Sequence, residues 1–160
     1  MDGIAFLQHA ARILPLTAPR QLCWLALFGI LAGCETQPVA SSSARMVPSD
    51  RLLTQPLLAA DSMERGGKVV VTRDSGFSGS AVLLRLYVDG QEVAKLSRSE
   101  RYEVILKEGE HLVGAANNLN FGGASVHEAS VAVQRGQTYN FRVGFDSSGT
   151  VIIQRTAFTN

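Results

Sequence analysis

The amino-acid sequence predicts an all-β domain, a single antiparallel β-sandwich of seven or eight short strands. Three observations carry this expectation. From Gly67 onward, short runs rich in Val, Tyr, Phe and Thr alternate with breaks containing Gly, Asp and Ser. Thr138–Phe145 alternates strictly, which places Tyr139, Phe141, Val143 and Phe145 on one face. Asp89-Gly90 lies between two such runs, where a tight type I′ hairpin needs two residues that tolerate positive φ.

The segment before the sandwich has a different character. In Met1–Gly33, Arg12 and Arg20 precede an apolar run that begins at Leu22 and ends in small residues, the pattern of a secretory signal peptide. Leu31-Ala32-Gly33-Cys34 looks like a bacterial lipobox. It predicts cleavage before Cys34 and acylation of the Cys34 sulfur, which makes the lipid bilayer a partner. Leu22–Gly33 is too short to span a bilayer, which takes about 20 apolar residues. The polar, Ser- and Pro-rich stretch directly after Cys34 argues against a buried helix. Glu35, rather than Asp, follows the cysteine, which favours the outer membrane, facing the periplasm, over the inner one.

Residues 34–65 are expected to form the lipidated N-terminus and a flexible tether, because Gln37–Ser49 mixes Ser, Ala and Pro without an apolar period. Within it, Leu57–Glu64 is expected as a short helix stopped by Gly66-Gly67, with Leu57, Leu58 and Met63 capping an open edge of the core. The sandwich covers residues 66–160. Its strands are expected at Lys68–Arg73, Ala81–Val88, Gln91–Leu96, Arg101–Leu106, His111–Ala116, Ser125–Val133, Thr138–Phe145 and Thr150–Arg155. Tyr102, Val104 and Leu106 share one face, as do Val131 and Val133.

The order Val71-Thr72-Arg73, a Gly/Ser loop, Leu86-Tyr87-Val88-Asp89-Gly90, Leu96, Tyr102 and Glu108-Gly109-Glu110-His111 resembles a family of uncharacterised bacterial lipoproteins. In that family an Arg-ending strand precedes a Val-Asp-Gly hairpin, a Gly-x-Tyr segment and a Pro-Gly-x-His turn. The hairpin logic is similar to that of PEGA modules and of transthyretin-like regulatory domains. Two positions depart from the pattern: Glu108 stands where Pro is usual, and Ser99-Glu100-Arg101-Tyr102 lacks the usual Gly. The resemblance spans about Lys68–Arg155 and implies a membrane-tethered β-sandwich, a domain of unknown function with no catalytic residues to carry over.

Catalytic chemistry finds no seat in the sequence. His111 and His127 are the histidines beyond the leader, and each neighbours a glutamate that points to the opposite strand face, so no metal site and no cofactor is expected. Gly76-Phe77-Ser78-Gly79 has the wrong spacing for a nucleophile elbow and leads into no helix. Arg73, Arg85, Arg142 and Arg155 read as ordinary solvated strand charges, with a ligand-binding stripe on one sheet as the alternative. Asn117–Gly123 is the expected contact loop, because Leu119 and Phe121 stand among polar and glycine residues; their alternative role is to plug the sandwich end.

Composition narrows the partners. Removing Met1–Gly33 takes Arg12 and Arg20 from the 15 basic residues and Asp2 from the 14 acidic ones, so the two signs balance. A neutral surface gives no basis for nucleic-acid binding. Cys23 falls in the leader and Cys34 is consumed by the lipid, so no disulfide and no thiol nucleophile remain. The sequence therefore points to a cell-envelope lipoprotein with a non-catalytic binding or structural role, acting through an envelope protein or a surface polymer. A periplasmic hydrolase of a cell-wall component and a small-ligand binding module are the alternatives.

Overall fold

The computed structural model describes residues 36–54, 64–76, 79–117 and 125–157. These form two sheets packed face to face, an all-β sandwich. The strands are β1 (Arg45–Met46), β2 (Gly66–Arg73), β3 (Leu84–Val88), β4 (Gln91–Leu96), β5 (Glu100–Lys107), β6 (Gly109–Asn117), β7 (His127–Val133), β8 (Thr138–Phe145) and β9 (Val151–Thr156). One sheet has the order β1-β5-β2-β8-β9 and the other β4-β3-β6-β7. The expected strand set is thus present from β2 to β9, with ends shifted by a few residues.

Alternation decides what is buried. Val69 and Val71 of β2, Tyr102 and Val104 of β5, and Phe141 and Val143 of β8 point into the core from the first sheet. Leu84 and Leu86 of β3, Val113 and Ala115 of β6, and Val131 and Val133 of β7 meet them from the second. Leu106 packs against this core from its rim. Tyr139 and Phe145 are buried as the alternation requires. Between β3 and β4, Asp89 and Gly90 have φ of 50° and 76°, the positive pair a type I′ turn demands.

Pairing is mostly antiparallel, with one long exception. β2 and β8 run parallel over Lys68–Arg73 and Thr138–Val143. The cause is the crossover between sheets: β7 ends beside the start of β2, where the Gly136 N–H donates to the Gly66 carbonyl, so β8 leaves in the β2 direction. Gly66 and Gly67, read from the sequence as a helix stop, instead open β2. A Cβ on Gly66 would lie 2.0 Å from the Leu106 carbonyl oxygen and one on Gly67 2.6 Å from that of Gln134, so only glycine allows the backbones this close. The expected helix residues Leu57, Leu58 and Met63 lie outside the described residues, and Glu64 sits in a turn.

The expected tether is corrected over residues 36–54, which pack on the sandwich as an arm. Gln37 and Ser75 exchange both backbone hydrogen bonds at 2.9 Å. Ser41 Oγ and Thr72 Oγ1 lie 3.0 Å apart in a buried pair. The Arg101 guanidinium then donates to the carbonyls of Ser41 and Ala44. β1 pairs in parallel with β5, and Val47 enters the core. A short 3₁₀ turn at Ser49–Arg51 carries the chain across the open edge, where the Leu53 N–H donates to the Val93 carbonyl of β4. Low apolar content concealed the arm from periodicity, because main-chain hydrogen bonds hold it.

Arg101 is oriented by Glu103, whose carboxylate also pairs with Lys68 Nζ at 2.6 Å. Burial pushes the Glu103 carboxyl up, but hydrogen bonds and charge from Lys68 and Arg101 outweigh it and hold it below the ordinary range. A depressed carboxyl stabilises the fold fully above its unfolded value, about 4.3, and loses that contribution as pH falls through the folded value. Glu103→Gln is therefore expected to cost about 1 kcal/mol at neutral pH and progressively less as pH falls below about 4.3, as read by urea unfolding across that range.

Arm docking has its own test. Trypsin should cut slowly at Arg45 and Arg51 in the intact protein. Arg101→Ala, which removes two charge-assisted hydrogen bonds, should speed cleavage at Arg45 about tenfold, with fragments identified by mass.

Candidate functional site

One end of the sandwich is organised by Arg73, the last residue of β2. Its parity in the strand turns it into the core, where only 2% of its surface stays exposed. Nη1 donates to the carbonyls of Val82 at 2.5 Å and Leu96 at 2.6 Å, and Nη2 donates to that of Gly79 at 2.7 Å. The guanidinium also lies 5.8 Å from the Phe145 ring centroid. Burial lowers its pKa to about 10 against the raising influence of Glu100, so it stays charged at neutral pH. Arg73 is therefore no solvated strand charge. It fastens the β2–β3 loop and the end of β4 to the core.

Beside this knot lies an open groove of about 460 Å³, lined by Arg45, Met46, Pro48 and Arg51 of the arm with Leu83, Ser97 and Glu100. Its floor is fixed. Buried Glu100 accepts from Arg51 Nη2 at 2.5 Å through one oxygen and from the Ser97 N–H at 2.8 Å through the other. Arg51 Nη1 also donates to the Lys95 carbonyl, so this one side chain links β5 to β4 across the sandwich edge. Its rim is adaptable. Arg45 is exposed and has no side-chain hydrogen bond among the described residues, and Met46 is 42% exposed. Such a groove offers hydrogen bonds to an acceptor group beside an apolar contact, which suits binding.

Two further arginines, Arg85 and Arg142, are held by carboxylates. Arg85 donates to Glu92 and lies 5.4 Å from the Tyr87 ring centroid. Arg142 donates to Asp74 Oδ2 at 2.5 Å through Nη2 and at 3.2 Å through Nε. Burial raises the Asp74 pKa against the pull of Arg142, and its Oδ1 finds no partner among the described residues. Arg155 stacks over Tyr139, 4.9 Å from the ring centroid. The four arginines thus form no stripe.

The two histidines do not converge. His127 stands opposite Ala115, four residues along β6 from His111, which places them about 14 Å apart. His111 Nδ1 lies 2.7 Å from Asp89 Oδ2, and Nε2 lies 2.9 Å from the Lys107 carbonyl oxygen. With both ring nitrogens facing acceptors, the side chain fastens the β3–β4 turn to the β5–β6 turn. Burial pushes the Asp89 carboxyl up, but hydrogen bonds from His111 and the Leu112 N–H hold it below the usual range. Among the described residues no group of three His, Cys, Asp or Glu could hold a metal ion.

Cys34, Leu119 and Phe121 lie outside the described residues. The strand ends that flank the expected contact loop, Asn117 and His127, are at the Arg73 end of the sandwich. The Arg73 knot and the arm-built groove are what sequence reading missed. The one available signal was a charged residue ending the β-branched run Val69-Val70-Val71-Thr72, and it does not reveal which way the side chain turns. No protein-family model matches the chain, and neither the curated proteins nor the solved structures yield a match.

Arg73→Met should leave the carbonyls of Gly79, Val82 and Leu96 without their donor and cost about 3–5 kcal/mol, seen as a lower urea midpoint at unchanged slope. Arg73→Lys keeps the charge without the planar fork and should fall between the two.

Proposed function

We propose that this chain is a lipid-anchored cell-envelope protein with a non-catalytic binding or structural role. The observation that carries the reading is Leu31-Ala32-Gly33-Cys34 at the end of an apolar run of signal length, followed by a chain that folds as a β-sandwich. Among the described residues no helix is long and apolar enough to cross a membrane. Acyl chains on Cys34 would supply the anchor, since each buried methylene contributes about 0.8 kcal/mol and two or more chains hold a protein stably. The resemblance to uncharacterised lipoproteins with a PEGA-like or transthyretin-like domain supports the same reading, as does Glu35 for the outer membrane.

The groove at Arg45, Met46, Pro48 and Arg51 is where an envelope protein or a surface polymer would make contact. Its exposed Arg45 suits a carboxylate or phosphate group, which cell-surface polymers carry, and its apolar rim suits a sugar face or a side chain. A hydrolase gains no support from the histidines, because His111 serves the two turns and His127 stands far from it.

Mass spectrometry of the membrane-extracted protein should show a mature chain that begins at Cys34 and carries acyl chains. Cys34→Ser should retain the leader and lose the lipid. An unacylated chain with residues 1–33 in place would overturn the proposal.

A further inference from the structure

Resting on that reading, we infer that the Arg73 end of the sandwich is a membrane-apposed surface, lying against the phospholipid headgroups around the anchor. Chain length sets the distance between anchor and sandwich. Thr36 Oγ1 donates to the Phe145 carbonyl at 2.9 Å. Gln37 follows with its two backbone hydrogen bonds to Ser75, and Ser75 Oγ adds a third contact to the Gln37 carbonyl at 3.3 Å. The arm is therefore fastened to the sandwich from its second residue after Cys34. Two virtual bonds separate Cys34 from Thr36, and they span at most about 7 Å. A free tether of the length expected from sequence would have allowed about 30 Å. Docking of the arm removes that slack, so a lipid on Cys34 draws Phe145 and Ser75 to the interface.

The surface around this point suits contact with headgroups. The β8–β9 turn carries Ser147, Ser148 and Thr150, and all three are exposed. The Asp146 carboxylate faces inward to its own turn. It accepts from Ser148 N–H and Oγ–H and from the Thr150 N–H, and these bonds hold its pKa below the usual range. The Ser147 hydroxyl can donate to a phosphate or ester oxygen, whereas the Ser148 hydroxyl is committed to Asp146 and lies 2.8 Å from Thr150 Oγ1, and Asp146 keeps its negative charge. The opposite end, with the Asp89-Gly90 turn and the Gln134–Gln137 turn, lies about 25 Å farther away along β8. It would face away from the bilayer.

With Cys34 acylated and Cys23 removed with the leader, the mature chain takes a single added cysteine as a unique label site. Acylated Ser147→Cys and Gln137→Cys variants, each carrying an environment-sensitive fluorophore, are reconstituted into phospholipid vesicles containing nitroxide-headgroup lipid. The label at 147 is expected to be quenched at least about twofold more than the label at 137, given the strand-length difference in height. Inserting about 20 Gly/Ser residues between Glu35 and Thr36 restores about 25 Å of slack and should bring the two labels to equal quenching. Equal quenching without the insertion, in protein whose mass shows acylated Cys34, overturns the membrane-apposed surface and leaves the anchor standing. A mass without acyl chains overturns both.

Discussion

A guanidinium buried in a β-sandwich must have its donors satisfied, and here two loop carbonyls and one at a strand end accept from it. Arg73 draws Gly79 and Val82 of the β2–β3 loop, and Leu96 at the end of β4, onto one planar group. An unpaired buried charge costs several kcal/mol, so the loop and strand end are fixed as firmly as the core beneath them. The consequence reaches the next turn. Ser99 N–H donates to the Arg73 carbonyl, Ser99 adopts φ of 58°, and Glu100 turns back to accept from Ser97. The floor of the groove is therefore held next to the same residue, through its main-chain carbonyl.

The arm depends on that arrangement and completes it. A sandwich leaves unpaired strand edges that invite association, and natural domains cover them. Here β1 covers β5, and Leu52 and Leu53 reach β4, so one open edge is closed by the chain that precedes the domain. Arg51 bonds to both sheets at this edge, through Glu100 of β5 and the Lys95 carbonyl of β4. Without a disulfide available in the sandwich, such charge-assisted links supplement the hydrophobic core.

Legibility in the sequence followed the physics of each element. Strands with one face buried were readable, because a period of two leaves a mark on every second residue, as in Tyr139, Phe141, Val143 and Phe145. Asp89-Gly90 was readable because a positive φ pair restricts residue choice. The arm was not, since Ser41, Ala44 and Gln37 are held through main-chain groups that every residue possesses. Arg73 shares the parity of Val69 and Val71, yet its charge alone suggested the outer face. The parallel β2–β8 pair was likewise invisible, because it depends on which sheet each crossover reaches.

The two outer faces of the sandwich are built differently, and this bears on what the molecule can present. On the first sheet, Val70, Thr72 and Asp74 point outward yet are buried, with Arg101 and Arg142 laid across this face and the arm seated at Thr72. Thr72 and Arg101 are spent on holding the arm, and Arg142 and Asp74 on each other. On the second sheet, Leu112 and Val126 are 43% exposed, and the Val126 side chain leans over Gly114, where a Cβ would lie 2.9 Å from it. Two exposed apolar side chains do not make a patch of the size that drives association. The groove differs from both faces, because it joins a fixed ion pair at Arg51 and Glu100 to an exposed Arg45 that has no side-chain hydrogen bond among the described residues. Preorganised polar groups beside an adaptable apolar rim lower the ordering cost of binding, so the proposed contact is set at the arm-built groove and not on either sheet face.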